Sequence, residues 1–202
     1  LNNTCNLLFN KNVDYDYNNL NDRIKELTME CRNGEFPEYD EDKKTIYVSM
    51  YNQLQERLPG EEQIITTIHE TLHFMTFGKD DSLNEEYFGF DEFFTEYLTY
   101  LIAMRVGGKK LESYYNKQPG YCSKEDTQFM RNLTIKADFA KLLTAYFSRS
   151  ARKLEEIVPK EVLLDIQDYF VYYTNIFYKY NLPKKVINQK LEEDINFMTY
   201  KN

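Results

Sequence analysis

Both histidines of this 202-residue chain stand in one five-residue stretch, His69-Glu70-Thr71-Leu72-His73. Residues four apart lie on one face of an α-helix, one turn above the other. Two imidazoles placed that way can hold one metal ion from the same side. A glutamate next to the first can then reach water at that ion. The arrangement asks for a half-buried helix whose histidines border an apolar stripe. The neighbouring residues supply it: Ile65, Ile68, Leu72 and Met75 form the stripe, and Thr66, His69, His73 and Thr76 run beside it. Pro59-Gly60 precedes Glu61-Glu62, acids that suit a first helical turn, and Gly78 suits the end. A helix is therefore predicted from about residue 61 to 77.

Residues 79–89 read as a polar loop carrying Asp80, Asp81, Asn84, Glu85 and Glu86. A second helix is predicted over 91–106, stopped by Gly107-Gly108. In it Glu92, Glu96, Thr99 and Ala103 fall along one line, flanked by Phe93, Phe94, Tyr97, Leu98, Leu101 and Ile102. Carboxylates between aromatic rows do not form a solvated face. Buried acids need a positive partner; a metal ion is one, and a Lys or Arg side chain is the plainer alternative.

Elsewhere the chain is predominantly helical in pattern. Residues 1–18 read as irregular or as a short strand. Leu20, Ile24, Leu27 and Cys31 give residues 20–32 helical spacing, ended by Asn33-Gly34. Thr45-Ile46-Tyr47-Val48 marks the best strand, over 43–50. As an edge strand it would hold an extended peptide by backbone pairing. A short helix is expected over 51–58 and a Tyr-rich loop over 110–122. Further helices are expected over 123–147 (capped by Ser123 and Asp126), 152–158, 159–180 and 183–200.

Composition narrows the partners. The formal net charge of -8 argues against nucleic acid and favours neutral or basic substrates. No apolar run reaches the length of a membrane span. With 18 Tyr, 14 Phe and no Trp, aromatic side chains must supply much of the core and of any groove. Cys5, Cys31 and Cys122 are widely spaced, which excludes a dense disulfide framework and a Cys-x-x-Cys metal site. The chain begins at Leu1 with no initiator Met, which fits a secreted or cell-surface protein whose N-terminal signal has been trimmed, with a cytoplasmic location as the alternative.

A zinc site used for hydrolysis takes three protein ligands and keeps one open position. His69 and His73 are two. With no other histidine and no suitable cysteine, the third must be a carboxylate. Glu92 is the expected ligand, since the eighteen residues between it and His73 allow a second helix to return antiparallel. Glu85, Glu86 and Glu96 compete for the role. Glu96, one turn after Glu92, is otherwise expected to fix a ligand histidine's tautomer. Glu70 is the expected general base. An oxyanion donor is also required, with Tyr87 and Tyr146 as candidates.

The stretch from His69 to His73, followed after this interval by Glu92-Phe93-Phe94-Thr95-Glu96-Tyr97, resembles the gluzincin zinc metallopeptidases. That group includes thermolysin-like proteases and zinc aminopeptidases, and the Glu-Phe-Phe-x-Glu run is also similar to lethal-factor-like peptidases. The likeness spans roughly residues 60–105. It implies Zn²⁺ held by His69, His73 and Glu92, with Glu70 as base. The exopeptidase Gly-x-Met-Glu-Asn signature is absent, so an endopeptidase is expected. No third histidine is present to meet the oxyanion, which leaves that role to Tyr or Arg.

The expected fold is mainly α (α+β). A zincin-like lobe with a small sheet and the histidine helix occupies 1–108, and an all-helical lobe occupies 109–202, the two packed as one unit. The expected function is zinc-dependent hydrolysis of a peptide or protein substrate. The alternatives are a catalytically silent zincin-like protein whose helical lobe binds a partner, and an intracellular regulatory protease that cleaves repressors.

Overall fold

Strand Thr45–Tyr51 carries an unbroken buried run, Thr45 through Ser49. A strand covered on both faces belongs in the middle of a sheet, and that is where it lies. The computed structural model describes residues 25–33, 38–40, 42–51, 57–76, 81–117 and 124–180. Its sheet has three strands, β1 (Thr28–Asn33), β2 (Glu38–Asp40) and β3 (Thr45–Tyr51), in the order β1-β3-β2. β1 runs parallel to β3, from Thr28 beside Thr45 to Arg32 beside Ser49. β2 runs antiparallel, with Glu38 beside Tyr47 and Asp40 beside Thr45.

Among the described residues six helices follow: α1 (Gly60–Thr76), α2 (Ser82–Lys117), α3 (Lys124–Lys136), α4 (Phe139–Phe147), α5 (Ala151–Glu155) and α6 (Lys160–Tyr180). The chain is thus mostly helical with a small sheet, the expected fold class. Among the described residues no helix is long and apolar enough to cross a membrane. The core runs continuously from the sheet through the helices. Ile46 and Val48 of β3, Leu72 and Met75 of α1, Leu83, Phe90, Phe94 and Leu98 of α2, and Leu142, Leu154 and Leu163 of the later helices share one cluster.

α1 and α2 lie antiparallel. Tyr114 near the end of α2 donates to Glu62 at the start of α1 over 2.6 Å, and Lys110 pairs with Glu61, while Glu96 faces His69. Phe94 of α2 is the aromatic hub, with Phe90, Tyr97, Phe139 and Tyr146 around its ring.

The expectations for several segments are corrected. Residues 28–32 form a strand, although their apolar spacing is helical: pairing with β3 satisfies the backbone there, Thr28 N–H donating to Lys44 C=O over 3.0 Å. β3 is central, so it offers no edge to a peptide; the sheet's edges are β1 and β2. Residues 82–89 are helical, the loop having given way to the first turns of α2. α2 leaves helical geometry at Tyr87 (φ -133°, ψ 48°) and at Gly108 (φ 54°, ψ -145°). The Gly-Gly stop is therefore a kink at a left-handed glycine, after which the helix resumes to Lys117. The long helix expected over 123–147 is divided in two. Asp138 accepts from Ala140 and Lys141 N–H (3.0 and 3.3 Å) and caps α4, an interaction that favours a new start over continuation. The helices near 152–158 and 159–180 are present as α5 and α6. The segment 1–18, the cap at Ser123, most of 51–58 and the helix 183–200 lie outside the described residues; Tyr51 itself ends β3.

Candidate metal centre

Helical spacing places His69 and His73 on the same side of α1, and the antiparallel return of α2 brings Glu92 opposite both. His69 Nε2 and His73 Nε2 are 3.0 Å apart. Glu92 Oε1 lies 3.3 Å from His73 Nε2, and Glu92 Oε2 lies 3.6 Å from His69 Nε2. Among the described residues these three side chains form the one group arranged to hold a metal ion. A tetrahedral zinc with bonds of about 2.0–2.1 Å separates its ligand atoms by roughly 3.3–3.4 Å, and the three groups lie at separations of that order, with their ligand atoms all within 4.8 Å of one another.

The remaining nitrogen of each imidazole faces a carboxylate. His69 Nδ1 is 3.0 Å from Glu96 Oε2, in a pair almost wholly out of solvent. The proton therefore sits on Nδ1 and leaves the Nε2 lone pair turned into the cluster. His73 Nδ1 points toward Asp91, with Oδ2 at 3.9 Å. Two imidazole lone pairs and a carboxylate this close together need a positive charge among them, either a proton or a metal ion. Without a metal the proton is held strongly. Burial alone would lower the His69 pKa, but hydrogen bonds to Glu92 and Glu96 outweigh it and raise the value well above that of free histidine. Glu92 answers in the opposite sense: burial opposes its charge, yet both histidines hold it far below the usual carboxylate range.

Glu70 is buried beside the cluster on α1. Burial raises its pKa, with His69 and His73 opposing. None of the described residues hydrogen-bonds its carboxylate, in contrast to Glu96.

The competing acids are elsewhere. Glu85 and Glu86 are exposed in the first turns of α2 and take no part in the cluster. Glu96 contacts the outer nitrogen of His69, the tautomer-fixing place, and not the cluster's interior. Both tyrosines are committed to other partners. The Tyr87 hydroxyl donates to Glu155 on α5. Tyr146 is fully buried, its hydroxyl 2.6 Å from the Thr95 hydroxyl and its ring against Phe94.

Asp91 and Arg149 are the residues that sequence reasoning missed. Arg149 Nη1 lies 2.8 Å from each carboxylate oxygen of Asp91, and Arg149 Nη2 lies 2.6 Å from Asp81. Burial works against the Arg149 charge, but Asp91 and Asp81 keep its pKa raised. Asp91 adjoins Glu92 in sequence and could have been suspected for that reason. Arg149 carries no comparable local signal. No family model, curated protein or solved structure matches the chain.

Proposed function

We propose that the protein is a zinc-dependent metallopeptidase, acting as an endopeptidase on peptide or protein substrates. The observation that carries this reading is the convergence of two imidazoles and one carboxylate: His69 Nε2 and His73 Nε2 are 3.0 Å apart, and each faces one oxygen of Glu92, Oε1 at 3.3 Å from His73 and Oε2 at 3.6 Å from His69. Two neutral imidazoles and one carboxylate are a catalytic zinc donor set, with room for a fourth position. When bound, zinc supplies Lewis acidity toward a carbonyl and makes water acidic enough to attack at neutral pH.

The chain's own residues do the rest. His69, His73 and Glu92 hold the ion, and Glu96 keeps His69 in the tautomer that can bind it. Glu70, next to His69 and without a competing hydrogen bond among the described residues, takes the proton from the attacking water. It then passes that proton to the leaving amine. Its buried setting favours such a shuttle, because a raised pKa brings a carboxylate closer to working pH. β2 lies over α1 through the Tyr39 ring on Phe74, 5.3 Å between centroids. β2 is at an edge of the described sheet, and an edge strand is the kind of element that takes an extended substrate by backbone pairing.

Zinc quantification paired with peptide-library cleavage tests this reading. Wild type and Glu70→Gln should both carry stoichiometric zinc, and only wild type should cleave; loss of the base is expected to cost about 10²–10⁴ in rate. Purified wild type without affinity for zinc, or full activity in Glu70→Gln, overturns it.

A further inference from the structure

We propose that Arg149 is a positioning residue for the metal ligand His73, acting through Asp91. This rests on the zinc reading above and extends it to the C-terminal helices.

Arg149 stands just beyond α4 with φ 55°, in the left-handed region. Glycine is the usual residue there, and a buried arginine in such a backbone needs a compensating role. Its guanidinium supplies several bonds. Nη1 reaches both oxygens of Asp91 at 2.8 Å and Thr76 Oγ1 at 3.4 Å. Nε and Nη2 reach Asp81 at 2.9 and 2.6 Å. The Arg149 carbonyl accepts from Leu83 N–H at 3.0 Å. One residue thus ties the end of α1 to the start of α2, the two segments that flank His73 and Glu92.

A simple fold clamp would account for that much. The geometry around His73 goes further. With His73 Nε2 turned toward Glu92, its Nδ1 faces Asp91, and no other acceptor among the described residues stands at that nitrogen. The outer nitrogen of each histidine thus faces a carboxylate: Glu96 hydrogen-bonds His69 at 3.0 Å, and Asp91 stands 3.9 Å from His73, a charge pairing that a small shift on metal binding would close. Asp91 is fully buried and adjoins Glu92 in sequence. Two neighbouring carboxylates repel, and Arg149 supplies the counter-charge, its Nη1 restraining both oxygens of Asp91 while Nε and Nη2 hold Asp81. Among the described residues no other side chain hydrogen-bonds the Asp91 carboxylate.

Zinc affinity measured by chelator competition, with circular dichroism to check folding, separates the two roles. Arg149→Met and Asp91→Asn should each weaken zinc binding about 10–100-fold while remaining helical, the size expected for loss of a group that orients a ligand. Asp81→Asn removes only the outer arm of the fork; it should lower the melting temperature and leave zinc affinity unchanged. Folded Arg149→Met or Asp91→Asn with wild-type zinc affinity overturns the proposal and leaves the zinc reading intact. Should the variants fail to fold, the zinc-loaded wild type decides by NMR of the ring N–H protons of its two imidazoles, which are assignable because the chain has no other histidine. A slowly exchanging Nδ1 proton on His73 as well as on His69 supports the proposal; rapid exchange at His73 alone overturns it. Wild type that binds no zinc overturns both readings.

Discussion

His69 Nδ1 and Glu96 Oε2 are 3.0 Å apart across the α1–α2 interface, inside the core. The contact makes α2 the element that chooses the tautomer of a residue on α1. Glu96→Ala should therefore weaken zinc binding about 10–100-fold. Glu96→Gln, which keeps an acceptor in the same place, should lose less. Isothermal titration or chelator competition checks the order, and equal affinities in all three proteins would contradict it.

Metal removal should be visible as lost stability. A ligand that binds only the folded chain at about a thousand times its Kd adds about 4 kcal/mol. For a domain of this size that is a shift of roughly 10 °C. Calorimetry in excess zinc and then in chelator should show it; coincident transitions would mean that the folded chain holds no zinc.

Tyr87 sits where α2 leaves helical geometry, and its hydroxyl donates to Glu155. That hydrogen bond is the leading cause of the lowered Glu155 pKa. A lowered folded-state pKa contributes stability above the carboxyl's ordinary range, and the contribution disappears as pH falls through the folded value. Tyr87→Phe should melt below wild type near neutral pH, and the two curves should converge in acid. Peptide turnover at saturating substrate should be unchanged, because the hydroxyl is directed at α5. A large loss of kcat in Tyr87→Phe would return this tyrosine to the oxyanion role.

At Gly89, α2 packs directly against the backbone of α6. A Cβ there would lie 2.8 Å from Phe170 Cβ and 3.1 Å from Gln167 Cα, and Gly89 N–H already donates to Gln167 Oε1 at 2.6 Å. Gly89→Ala should destabilise by about 1–3 kcal/mol through overpacking, measurable by urea denaturation. The residue reads in sequence as the end of a polar loop, whereas in the fold its missing side chain lets two helices meet.

Much of the candidate site was legible because its signals are local. His69 and His73 are one turn apart in any helix, and so are Glu92 and Glu96, whose aromatic flanks mark the face as buried. Asp138 shows the limit of such reasoning. The apolar pattern runs through it, but its side chain caps the following turn, and the expected single helix becomes two. Residues 28–32 show a second limit. Their spacing suits a helix, yet parallel pairing with β3 decides their conformation.

Sequence by itself determined the helical phase of the two-histidine stretch, the inward face of α2 and the mainly helical class, since each follows from neighbours along the chain. Tertiary structure alone decided that β3 is central and that Tyr87 and Tyr146 are bound to Glu155 and Thr95. It also decided that Arg149 closes on Asp91, 58 residues earlier. Those outcomes depend on which surfaces packing brings together. A buried charge acquires its partner only when distant segments meet, and no periodicity along the chain records that meeting.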